Sequence, residues 1–132
     1  MFVAFMAAAL IALVVLREFT TPDPRGHSTH EQLGLPACMM LEYTGIPCPG
    51  CGVTTAMSSF AHGDLSGAVK TQPFGLLIAL LILVVSAFAL IDTLRGKDAW
   101  AEFGRRRKPW MYWGLGAAML VAWSYKIIAL RA

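Results

Sequence analysis

The chain has 132 residues, of which 57% are hydrophobic and 14% are charged, with a net charge of +3 at pH 7. The charged fraction lies well below the quarter or so that is usual in soluble domains, which disfavours a soluble fold and indicates a small membrane protein. The positive charge is concentrated beside an apolar segment, which excludes nucleic acid as the expected partner and favours an explanation by membrane topology.

Three apolar segments predict membrane-spanning helices. They cover about residues 2–19, 73–91 and 110–130, and a helical span needs about 20 residues. The first segment lacks a preceding basic residue and a following A-x-A-like cleavage site, so we expect an uncleaved helix rather than a signal peptide. The third contains one charge, Lys126, which we expect to reach the lipid headgroups by snorkelling.

The two connections between these segments differ in charge. Residues 92–109 contain six lysines and arginines, whereas the longer connection 20–72 contains two. The positive-inside rule therefore predicts that 92–109 and the N-terminus are cytoplasmic and that 20–72 is extracytoplasmic. We expect residues 1–132 to form one integral, multi-pass domain of a bacterial inner membrane. Topology explains the basic connection, because such clusters are common at membrane faces; the alternative is a docking site for an acidic partner.

The long connection begins with a polar stretch, residues 20–34, that is typical of a surface loop. It continues into TGIPCPGCGVTTA, residues 44–56. Pro47 and Pro49 fix the backbone at alternate positions. Gly50 permits a sharp turn, and Gly52 permits close approach of another backbone.

The pattern becomes helical after this turn. An apolar face is predicted for one side of the helix, with threonines and serines on the other: the apolar members are Val53, Ala56, Met57 and Phe60. Gly63 is a natural C-cap, and Asp64 can cap the start of a second short helix. The predicted fold is therefore an all-α membrane protein with three transmembrane helices and a short interfacial or re-entrant helix after a CPGC turn.

This stretch resembles DUF2752, a bacterial membrane family defined as a domain of unknown function. The resemblance rests on Cys38, on residues 44–56, on the pair Gly63 and Asp64, and on QPFG at 72–75. It covers roughly residues 38–91. It implies a small multi-span membrane protein whose defining feature is the cysteine motif, and it brings no established activity.

Two positions depart from the family pattern. Thr55 stands where the family usually has arginine, and Gln72 stands where it usually has asparagine. If that arginine binds an anion or pairs with an acid in the family, this chain has lost the interaction.

The cysteines Cys38, Cys48 and Cys51 admit three chemistries. They could form a disulfide or act in thiol redox, since Cys51 starts a helix whose dipole stabilises a thiolate. They could bind a metal such as zinc, with His62 completing a Cys₃His set. They could also pack as small apolar side chains or as a static staple. Two more imidazole donors stand in the polar stretch: His27 and His30.

The sequence contains no constellation of catalytic residues, and its spans lack the buried ionisable residues of an ion pathway. We therefore expect a non-enzymatic accessory or scaffold protein that packs with other membrane-protein subunits in the lipid bilayer. The alternative is a membrane thiol–disulfide redox or metal-binding protein that uses the CPGC motif. Zinc is the cofactor to consider for that alternative.

Overall fold

The computed structural model describes residues 1–131, and this part of the chain is helical without any strand. Seven α-helices and one 3₁₀-helix follow one another along the chain: α1 (Phe2–Phe19), the 3₁₀-helix (Thr29–Leu33), α2 (Met39–Thr44), α3 (Val53–Ala61), α4 (Leu65–Thr71), α5 (Pro73–Leu94), α6 (Ala99–Arg106) and α7 (Pro109–Arg131). The predicted all-α class is confirmed.

Three helices, α1, α5 and α7, are long and apolar enough to cross a membrane. Pro73 occupies the first turn of α5, where its missing N–H costs no helical hydrogen bond. This helix continues to Leu94, three residues beyond the predicted end of the second span. It therefore includes Asp92.

The two connections lie at opposite ends of the three long helices. At one end, the ring of Phe2 in α1 packs against Trp100 of α6, with ring centroids 5.4 Å apart. At the other end, Lys126 of α7 donates to the carbonyl of Thr71 at 3.0 Å. We call these the basic end (residues 92–109) and the cysteine end (residues 20–72). This arrangement is what the predicted topology requires, although which end faces the cytoplasm stays a prediction.

Helix α6 folds back on α5 at the basic end. Asp92 is 2% exposed and accepts two hydrogen bonds from Arg106, at 2.7 and 3.1 Å. The same guanidinium lies over the ring of Phe88, 4.9 Å from its centroid. One arginine of the basic cluster therefore has a structural partner, beyond the topological role that we predicted for the whole cluster.

The short helix α3 packs in the opposite sense to the prediction. Its polar residues Thr55 and Ser58 are buried, whereas the expected apolar face, apart from Ala56, is only half-buried. The reason is a set of hydroxyl partners: Thr29 donates to Thr55 at 2.8 Å, and the hydroxyls of Thr20 and Ser58 share a hydrogen bond of 3.0 Å. The stretch 20–34, predicted to be a surface loop, thus packs partly against α3.

Candidate thiol site

The three cysteines converge at the cysteine end. The Sγ atoms of Cys38, Cys48 and Cys51 all lie within 4.8 Å of one another, and all three are free thiols. Cys51 is buried, while Cys38 and Cys48 are half-buried. The site is therefore enclosed on the Cys51 side and more open on the side of the other two thiols.

Cys48 and Cys51 are brought together by a tight turn. The N–H of Cys51 donates to the carbonyl of Cys48 at 2.9 Å, and the N–H of Val53 donates to the carbonyl of Gly50 at 3.1 Å. Gly52 then takes a left-handed conformation with φ of +87°, which glycine adopts without the penalty of a β-carbon. The turn ends directly in α3.

Cys38 reaches this turn from the start of α2. It precedes the first residue of this six-residue helix, and its carbonyl accepts from the N–H of Glu42 at 2.9 Å. Helix α2 ends at Gly45, which is left-handed with φ of +68° and reverses the chain towards Cys48. The distance along the chain between Cys38 and the CPGC turn is thus closed by the short helix α2 and by Gly45.

Distant helices hold the turn in place. Nε1 of Trp123 in α7 donates to the carbonyl of Pro47 at 2.7 Å, and Nε2 of Gln72 donates to the carbonyl of Pro49 at 3.4 Å. Gly75 lets α5 approach α3 closely, because a β-carbon there would lie 2.8 Å from the carbonyl oxygen of Val53. The thiol site is therefore fixed to both α5 and α7.

Lys126 lies beside the turn instead of reaching the headgroups, so the snorkelling prediction is wrong. The residue is 3% exposed, and its ammonium donates to the carbonyls of Gly26 and Thr71. A β-carbon on Gly52 would lie 2.9 Å from this ammonium. These carbonyls accept hydrogen bonds from the ammonium in place of the water that it loses on burial. They thereby hold the positive charge of Lys126 next to Gly52.

The three thiols differ in acidity. Burial, together with the negative charge of Cys38 and Cys48, raises the pKa of Cys51 to about 12. Burial and the neighbouring Cys38 also raise the pKa of Cys48. Burial acts in the same direction on Cys38, but hydrogen bonds from the N–H of Leu41 and from Cys48 outweigh it and lower its pKa.

This order differs from the one that the helix position of Cys51 suggested. A start of a helix favours the thiolate, but the desolvation of Cys51 opposes it more strongly. Of the three thiols, Cys38 is the one whose pKa is lowered, and the CPGC pattern does not single it out. Only the folded arrangement, with Leu41 and Cys48 beside it, shows this property.

The histidines make other contacts. Nδ1 of His62 is hydrogen-bonded to the carbonyl of Ser58 at 2.8 Å, and His62 is not a member of the cluster. The ring of His27 bonds to the hydroxyl of Ser28 at 2.7 Å. His30 bonds to the carbonyl of Pro36 at 3.0 Å. Within residues 1–131, the cluster therefore consists of the three cysteines.

The same stretch of chain carries the likeness to known sequences. Residues 38–86 match the model of a family described as protein of unknown function, DUF2752. The resemblance predicted from the cysteine motif is thus confirmed over this stretch, which is less than half of the chain and runs from Cys38 into α5. Neither a curated protein nor a solved structure matches the chain significantly.

Proposed function

We propose that this multi-pass membrane protein binds a thiophilic metal ion, with zinc as the first candidate, through Cys38, Cys48 and Cys51. The observation that carries the proposal is the convergence of the three sulfur atoms to within 4.8 Å of one another. Thiolates are preferred ligands of zinc and of other soft metal ions.

The dimensions of the cluster fit such an ion. Four-coordinate zinc with Zn–S distances of about 2.3 Å places its sulfur ligands about 3.8 Å apart. The sulfurs lie no more than 4.8 Å apart, so this separation falls within the range that the cluster already spans. Three protein ligands leave a fourth coordination position, and a structural site would need a donor from outside the cluster to fill it.

The surroundings supply charge compensation. A divalent ion with three thiolates has a net negative charge, and a buried negative charge needs a partner. The ammonium of Lys126 lies against Gly52, the residue after Cys51, and is itself buried. This lysine therefore favours a negatively charged group at the site.

A disulfide is the second candidate, because the same proximity that suits a metal also suits oxidation. Two of the sulfurs would have to approach to about 2.05 Å and expel the third from the contact. The predicted extracytoplasmic location of residues 20–72 is an oxidising one. In this case the protein would act in thiol–disulfide redox chemistry, and one of the three cysteines would remain a free thiol.

We also propose that the metal site is structural and that the protein serves as a non-enzymatic accessory subunit among other membrane proteins. Support comes from the way in which the turn is tied to the bundle. Pro47 is bound by Trp123 of α7, and Pro49 is bound by Gln72 beside α5. A metal at the thiols would hold Cys38 against the CPGC turn, and these hydrogen bonds connect that turn to α7 and to the start of α5.

The experiment is native mass spectrometry of the detergent-purified protein after equilibration with zinc, followed by denaturation and thiol alkylation. We expect one zinc per chain and three alkylatable thiols. Each of Cys38→Ser, Cys48→Ser and Cys51→Ser should lose the metal, because two thiolates bind zinc far more weakly than three. His62→Ala is the matched control and should retain it.

The opposite result is equally clear. A protein purified without reductant that lacks zinc, has a mass lower by about 2 Da and has one alkylatable thiol contains a disulfide. That result would replace the metal proposal by the thiol one. Three free thiols without affinity for zinc would leave only the accessory role.

A further inference from the structure

A large apolar groove opens at the basic end, far from the thiol site. Its volume is about 960 Å³, and its lining comes from α1, α5, α6 and α7. Met6, Val85 and Leu115 are representative wall residues, one from each long helix. The volume is at the upper end of the about 300–1,000 Å³ that is typical of ligand sites.

The groove is long enough for an acyl chain. Along α5 its lining extends from Ile78 to Thr93, which corresponds to about 22 Å at 1.5 Å per residue. One leaflet contributes about 15 Å, half of the about 30 Å hydrocarbon core. Along α5 the lining therefore matches the depth of one leaflet, whereas α1 and α7 line the groove only next to the basic end, as far as Met6 and Leu115.

The part of the groove beside the two ends of α6 is cationic. Lys97 and Arg107 line it, and within residues 1–131 neither forms an ion pair with a carboxylate. Arg107 instead donates to the hydroxyl of Tyr112 at 3.0 Å and lies 5.8 Å from the ring centroid of Trp100. The one acid in the lining is Asp98, whose carboxylate accepts from the N–H of Trp100 at 3.0 Å and caps α6.

We propose that this groove binds an anionic glycerophospholipid, with the phosphate on Lys97 and Arg107 and an acyl chain that passes between α1 and α7 and lies along α5. The apolar walls match the chain, and the two unpaired cations match the headgroup. Basic pockets between helices at the cytoplasmic side are known sites for anionic lipids, and the positive-inside rule predicts that the basic end is cytoplasmic. An apolar helix of another protein would fill the walls but leave both cations without a partner.

The test is native mass spectrometry of delipidated protein incubated with phosphatidylglycerol or with phosphatidylcholine of the same acyl chains. We expect one phosphatidylglycerol per chain, retained at least fivefold more than phosphatidylcholine. The double variant Lys97→Gln/Arg107→Gln should lower its retention to the phosphatidylcholine level. Leu115→Trp, which fills the groove without changing charge, should reduce the retention of both lipids.

The matched control is the double variant Arg105→Gln/Lys108→Gln. It removes the same charge from the same connection, but neither residue lines the groove, so it should retain phosphatidylglycerol. Equal losses in the two double variants would mean a general attraction of lipid to a basic surface and would overturn the proposal. Equal binding of the two lipids would overturn it as well. So would a wild-type protein that forms a dimer and excludes lipid, if Leu115→Trp still binds lipid.

Discussion

At Gly52, the addition of one methyl group should strongly destabilise the backbone turn that carries the thiol site. Its φ of +87° is costly for alanine, and an added β-carbon would lie 2.7 Å from the carbonyl oxygen of Gly26. Ordinary contact begins at 3.4 Å, so the neighbouring backbone would have to move by 0.7 Å. The same β-carbon would press on the ammonium of Lys126. Gly52→Ala should therefore destabilise the protein through both strain and collision.

Gly63 separates these two effects. It has nearly the same conformation, with φ of +86°, but an added β-carbon would meet nothing within 4 Å. Gly63→Ala should therefore carry only the left-handed penalty, about 1–2 kcal/mol. Gly52→Ala should carry that penalty and a further cost of about 1–3 kcal/mol for overpacking. Its expected loss of unfolding free energy is thus about 2–5 kcal/mol.

Equilibrium unfolding in mixed micelles, followed by helical circular dichroism, measures both variants under the same conditions. The reasoning depends on the difference between them. If Gly52→Ala and Gly63→Ala lose the same stability within about 0.5 kcal/mol, the Gly26 segment does not lie against the turn. The described packing of the cysteine end would then be refuted.

Two further variants test the ties at each end of the bundle. Trp123→Phe removes the hydrogen-bond donor to Pro47, so we expect a loss of about 1 kcal/mol in unfolding free energy and a faster release of bound zinc to a chelator. The control is Trp113→Phe, since Trp113 is 82% exposed. An equal effect of the two variants would exclude a role for the hydrogen bond. Asp92→Asn removes the charge that Arg106 binds. It should speed tryptic cleavage in residues 95–108, whereas unchanged protection would show that α6 docks without the ion pair.

The spans and the cysteine motif could be predicted from the sequence because they depend on local pattern. Length and hydropathy are sufficient to define α1 and α5, and prolines and glycines between two cysteines indicate a turn. The short helix after the turn was also predictable in position. Its orientation was not, because periodicity distinguishes apolar from polar faces but cannot show that the polar face is the buried one.

The missed features all depend on partners that are distant in sequence. Thr55 and Ser58 are buried because hydroxyls from the preceding polar stretch satisfy them, and no local pattern marks such a pairing. Lys126 points inward because its ammonium donates to two backbone carbonyls, one of which is 100 residues away in the chain at Gly26. The closeness of Cys38 to the other two thiols is of the same kind, since its spacing from them permits contact without requiring it.

The tie between Lys126 and Gly26 also sets an order of events during biosynthesis. All three cysteines leave the ribosome well before α7, yet the contacts from Trp123 and Lys126 that position their turn come from that last helix. Until α7 has been inserted, the carbonyl of Pro47 lacks its hydrogen-bond donor Trp123, which lies 76 residues later in the chain. The thiols would pass this interval without their final surroundings. Maturation of the site is therefore a late step that depends on insertion of the whole membrane domain.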